Sequence, residues 1–195
     1  MDTATLWYVS RATGAVTLVL FTATVLLGIL THNRTGGRLS RAAVLRLHRS
    51  ISMTAMAFLA VHIGTAILDG YVDINVVDIV LPFGSGFDPF WIGLGTLAVD
   101  LIIAIALTSW LRRWLPVRLW KFVHLSAYAM WPIAILHGFG NSGGDGKEWW
   151  MLAIDALCIL AVVAAMSLRG RGDRHPDARA RASAAQIHPR EWVSR

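Results

Sequence analysis

The stretch "LHRSISMTAMAFLAVHI", residues 47–63, decides how the chain is read. It is apolar enough to cross a bilayer, yet it carries two imidazoles, His48 and His62, fourteen residues apart. Ionisable groups at membrane depth are expensive and are kept for a purpose. The rest of the chain shows that the setting is a membrane: 55% of its 195 residues are hydrophobic, and its mean hydropathy is +0.54. That is too apolar for an ordinary soluble domain.

Five apolar runs, about residues 7–31, 47–68, 90–111, 119–138 and 149–168, each approach the length that spans a hydrocarbon core. Backbone amides in lipid must be satisfied within their own segment, so each run is predicted to be a helix. The expected fold is an all-α membrane protein, a five-helix transmembrane bundle in one domain over residues 1–168. Residues 169–195 form a basic tail, charged and short of apolar residues, that is expected to stay disordered on the cytoplasmic side.

The charges orient the bundle. Arg34, Arg38, Arg41, Arg46 and Arg49 cluster after the first run, and Arg112, Arg113, Arg118 and Lys121 after the third. Asp69, Asp73, Asp78 and Asp88 occupy the connection between the second and third runs. Lysine and arginine concentrate on the cytoplasmic side, so the N-terminus is expected outside and the C-terminus in the cytoplasm. A pI near 10.4 then reflects loops and tail rather than affinity for nucleic acid. The N-terminal run lacks the basic leader of a cleavable signal, and its positive flank follows the run. The lone Cys158 excludes a disulfide framework, and no CxxCH motif exists for covalent haem attachment.

Four of the seven histidines fall in two runs: His48 and His62 in the second, His124 and His137 in the fourth. One span separates these two, so they run parallel. His48 and His124 therefore share the cytoplasmic level, and His62 and His137 the outer level. At 1.5 Å per residue the levels stand about 20 Å apart. Matched pairs of this kind suit two bis-histidine haems stacked across the membrane, since imidazole is a common axial ligand of haem iron. Zinc more often takes a tighter tetrahedral set. Fourteen residues keep His48 and His62 on one face, whereas thirteen turn His137 off the face of His124, and a kink at Pro132 is the expected correction.

The paired spacings "HRSISMTAMAFLAVH" and "HLSAYAMWPIAILH" resemble the ferric reductase-like transmembrane domain, the group of NADPH oxidases, ferric reductases and the haem subunit of the periplasmic methionine sulfoxide reductase system. "LWKFVHLSAYAMWPIAILHG", with Trp120 before His124 and Tyr128 after it, carries most of the likeness. The resemblance implies two haem b groups, iron ligation by His48, His124, His62 and His137, and electrons crossing a cell membrane. It also implies that Arg11 matches an arginine near the outer haem of the oxidases. The 27 residues after Leu168 hold no dinucleotide fingerprint and are too few for a flavin domain. A separate flavin-dependent reductase or FMN-binding protein is therefore the expected donor, with an external electron acceptor and no residue of the chain acting as a catalyst.

Other polar residues have plainer readings. His32, His175 and His188 read as solvated. Arg46, Arg49, Arg118 and Lys121 fit positive-inside topology before any role as haem propionate partners. Asp100 and Asp155 accept hydrogen bonds or relay protons. The aromatic residues Trp7, Tyr8, Trp91, Trp114, Trp149 and Trp150 fit an interfacial belt, and Phe58 and Trp131 read as packing between the two levels. From a different class, a metal-ion or haem transporter could use the four histidines as stepping sites. The chain shows none of the inverted repeats or interrupted helix pairs of such transporters.

Overall fold

The computed structural model describes residues 3–32, 40–69, 74–141 and 149–172, with side chains described only as far as Leu168. Within them the chain is all-helical: α1 (Thr3–His32), α2 (Arg41–Leu68), a 3₁₀ turn (Val76–Ile79), α3 (Pro89–Trp110), α4 (Val117–Leu125), α5 (Ala127–Asn141) and α6 (Trp149–Gly172). Five spans, α4 and α5 counting as one, are long and apolar enough to cross a membrane. Arg34, Arg38, Asp73, His175, His188 and the tail from residue 173 lie outside the described residues, as does the side chain of His32.

Helix ends extend past the apolar runs because only their middles need to be lipid-compatible. α2 starts at Arg41, where the Ser40 hydroxyl accepts the Ala43 amide at 3.2 Å and caps the first turn. The hydroxyls inside the spans turn back on their own helix. Thr13, Thr17, Thr22, Thr24, Ser52 and Thr65 each donate to the carbonyl four residues earlier, at 2.6–2.9 Å, which lets a polar side chain live in a bundle without water.

α1 is the central strut. α2 packs along it, α6 and α5 also rest on it, and α5 packs along α3. α2 makes no comparable contact with α4 or α5 among the described residues, so the two histidine-bearing spans face each other across a slot. The core between the levels is apolar: Phe21, Val25, Ala55, Ala98, Met130, Trp131 and Ile135 are buried together. A polar tie runs through it, from the Trp131 indole, which donates to Thr22 Oγ1 at 2.9 Å.

Two local features position the site. The 3₁₀ turn is fixed by the Asn75 amide donating to the Asp78 carboxylate at 2.9 Å, and Thr96 of α3 donates to the Asp78 carbonyl. Phe83, at φ 68°, then lies directly on Gly93. The second feature departs from the sequence expectation. The fourth span breaks at Ser126, between α4 and α5, while Pro132 sits inside α5. Ser126 and Ala129 donate to carbonyls three residues back, at 3.1 and 2.9 Å. Such 3₁₀ bonds add about 20° of turn per residue over the α-helix, a rotation in the direction that the thirteen-residue spacing requires.

Candidate functional site

The site consists of four imidazoles in two facing pairs. His48 of α2 faces His124 of α4, with ring centroids 6.3 Å apart and planes at 59°. His62 of α2 faces His137 of α5 at 6.5 Å and 78°. Each ring is partly buried in the slot.

The neighbouring helices hold three of the four rings in the same way. His62 Nδ1 lies 2.8 Å from the Ser10 carbonyl of α1, with Ser10 Oγ at 3.4 Å. His48 Nδ1 lies 3.1 Å from the Thr24 carbonyl of α1. His137 Nδ1 lies 2.7 Å from the Trp91 carbonyl of α3. A carbonyl can only accept, so each Nδ1 carries the proton and each Nε2 keeps its lone pair.

Four residues beyond each of these carbonyls stands a glycine: Gly14, Gly28 and Gly95. A Cβ at Gly95 would come within 2.6 Å of His137 Cε1, and one at Gly14 within 3.0 Å of His62 Cε1. At Gly28 the nearest atom, His48 Cε1, would be 4.0 Å away, an ordinary contact. Sequence reading missed these glycines and their carbonyls, although Gly14 and Gly28 repeat the fourteen-residue interval of His48 and His62.

His124 is held differently. Its Nδ1 is buried with no hydrogen-bond partner among the described residues. Its ring stacks on the Trp120 indole, with centroids 5.1 Å apart and planes at 24°, and the Arg112 guanidinium lies 4.2 Å from the centre of the same indole.

The other residues singled out in the sequence surround the pairs without joining them. Arg11 follows Ser10 on α1, beside the His62 level, with its guanidinium 4.2 Å over Trp7. Arg46, Arg49, Arg118 and Lys121 are exposed near the His48–His124 end. Asp100 and Asp155 are half-buried on α3 and α6, which carry no histidine. Trp91, assigned to the belt, gives its carbonyl to His137, and its ring fills the space a side chain at Gly140 would need. Trp114, Trp149 and Trp150 are exposed at helix ends, as belt residues are.

No three His, Cys, Asp or Glu side chains converge among the described residues. Donors offered in pairs suit an ion whose other positions are filled by a ligand of its own. A metal–imidazole bond of about 2.0 Å, with the nitrogen roughly 1.1 Å from its ring centroid, puts collinear ligands about 6.2 Å apart. Both observed separations agree with that distance.

A five-span bundle with imidazoles paired at two depths is a multi-pass membrane protein of redox type. The family described as ferric reductase like transmembrane component matches residues 13–135, more than half of the chain, and the protein belongs to that family. The match begins inside α1 and ends inside α5, just short of His137. Comparison with curated proteins and with solved structures gave no match.

The glycine contacts predict a contrast between two substitutions. Gly95→Ala forces the His137 ring aside and should cost about 1–3 kcal/mol, as overpacking does. Gly28→Ala should be neutral or slightly stabilising, because a helical alanine is preferred where space allows. Thermal midpoints in detergent measure both, and equal midpoints would refute the cradle.

Proposed function

We propose that this chain is a di-haem b electron-transfer subunit, passing electrons from a cytoplasmic flavoprotein to an acceptor outside. His48 and His124 would ligate the iron at the cytoplasmic level, and His62 and His137 the iron at the outer level. The observation that carries the reading is the ring separation, 6.3 and 6.5 Å, repeated at two depths across a slot. Haem b with two imidazole ligands supplies reversible one-electron transfer when bound.

The chain's own part is to hold the ligands. Carbonyl bonds on three Nδ1 atoms fix the tautomer, aim Nε2 into the slot and make those imidazoles better electron donors. The apolar layer from Phe21 to Trp131 excludes water between the levels.

In this proposal residues 1–168 are the haem domain, and residues 169–195 a cytoplasmic tail whose start α6 continues as far as Gly172. The charge pattern supports an outer N-terminus and a cell-membrane location. Arg11 stands one residue from the carbonyl that orients His62. A guanidinium there would pair with a propionate or a bound acceptor and favour the reduced outer haem.

Purified protein should show a b-type spectrum with two haems. His62→Ala and His137→Ala should each lose the same haem, and His48→Ala and His124→Ala the other, as read by pyridine haemochrome content. Colourless wild type, or loss shared by His48 and His62, sinks the assignment.

A reporter fused after Arg195 should be active only in the cytoplasm, and one at Asp78 only outside. The opposite pattern reverses the direction of electron flow proposed here.

Arg11→Ala should keep both haems and lower the midpoint of the couple that His62→Ala removes, with Arg11→Lys recovering part of the shift. Potentiometry decides it: two unmoved midpoints make Arg11 an interfacial residue only.

A further inference from the structure

His124 departs from the rule that the other three imidazoles obey, and α3 differs at the matching register. His137 is received by the Trp91 carbonyl and Gly95. Thirteen residues back along the fourth span is His124, and thirteen residues on along antiparallel α3 are Ala104 and Thr108. The glycine is therefore replaced by a threonine, and the Thr108 hydroxyl donates to the Ala104 carbonyl at 2.7 Å. His124 instead stacks on Trp120, and Trp120 carries Arg112 from the turn that follows α3.

Both differences act on the metal in one direction. An imidazole whose Nδ1–H is bonded to a carbonyl gains electron density and stabilises oxidised iron. His124 lacks that bond among the described residues. A permanent cation held against its stacked neighbour favours the state with one positive charge fewer, the reduced one. We infer that Arg112 and Trp120 are positioning residues that fix the His124 ring and raise the potential of the haem it shares with His48, so that the two sites differ electronically although their ligands are the same. The inference rests on the di-haem reading and adds to it a device confined to one of the two pairs.

Potentiometry of the purified holoprotein tests it, with each couple assigned by its loss in His124→Ala or His62→Ala. Arg112→Gln should lower the midpoint of the couple that depends on His124 and leave the other in place. Arg112→Lys, which keeps a cation over the indole, should recover most of the shift. Trp120→Leu should lower the same midpoint and alter that haem's low-spin ferric resonance, because the ring loses its stacking partner. Two bound haems with an unmoved His124-dependent midpoint in Arg112→Gln overturn the inference, as does an equal shift of both couples, which would report only a general change of surface charge. If Arg112→Gln does not accumulate, the same midpoint in Trp120→Leu decides the matter. Wild-type protein without haem is a separate result that removes the underlying function instead.

Discussion

The bond from an imidazole Nδ1–H to a helical carbonyl is the constraint on which this bundle depends. That carbonyl already accepts the amide four residues on. The side chain at that fourth residue leans back over the carbonyl, because helical Cβ atoms tilt toward the N-terminus. Where it is glycine, nothing stands over the carbonyl against a ring approaching from a neighbouring helix, and at Gly14 and Gly95 an added Cβ would crowd that ring. Ser10 with Gly14, Thr24 with Gly28, and Trp91 with Gly95 each combine the two conditions. In a medium without water a ring N–H has few other partners, so the bond sets both the rotation and the height of each helix relative to the next.

The remainder of the architecture follows. α1 receives both imidazoles of α2, so those two helices are locked in antiparallel register. α3 receives His137, so α3 and α5 are locked as a second pair. The two locked pairs meet through α1 and α5 around the Thr22–Trp131 hydrogen bond, which leaves α2 standing away from α4 and α5. In the proposed reading, a slot bounded by two rigid pairs would receive the flat cofactor. Rigidity would also suit the proposed electron transfer, where ligands should move little between oxidation states.

Much of this was legible in the sequence. Five apolar runs, the alternating charge of their connections and the matched histidine spacings point to the bundle, and to which rings share a level. The receiving half of the site was not legible in the same way. His48 and His62 announce themselves because charge is rare at that depth, whereas a carbonyl has no identity in the sequence and a glycine in a membrane helix has many uses. Gly14 and Gly28 become a signal only when α1 and α2 are known to be neighbours in register. The break at Ser126 was hidden for a related reason. A serine near the middle of a span is commonplace, and the proline six residues later drew the kink to itself. Pro132 gives up one hydrogen bond inside α5, while the 3₁₀ bonds that turn the chain lie at Ser126 and Ala129.

The thirteen-residue interval and the different setting of His124 both belong to the fourth span. In a straight helix fourteen residues leave two side chains about 40° apart, and thirteen leave them about 140° apart. α2 can thus present both its rings to the slot without distortion, and the fourth span cannot. It breaks at Ser126 instead, and α3 packs against both of its parts. At the register position that answers Gly95 stands Thr108, whose hydroxyl donates to the Ala104 carbonyl. The His124 ring is held in another way. The residue one turn before it on α4, Trp120, holds it by stacking, and Arg112 from the basic connection after α3 supplies the cation over that indole. If the two pairs hold haem as proposed, this stack and its cation make two sites with the same ligands differ electronically.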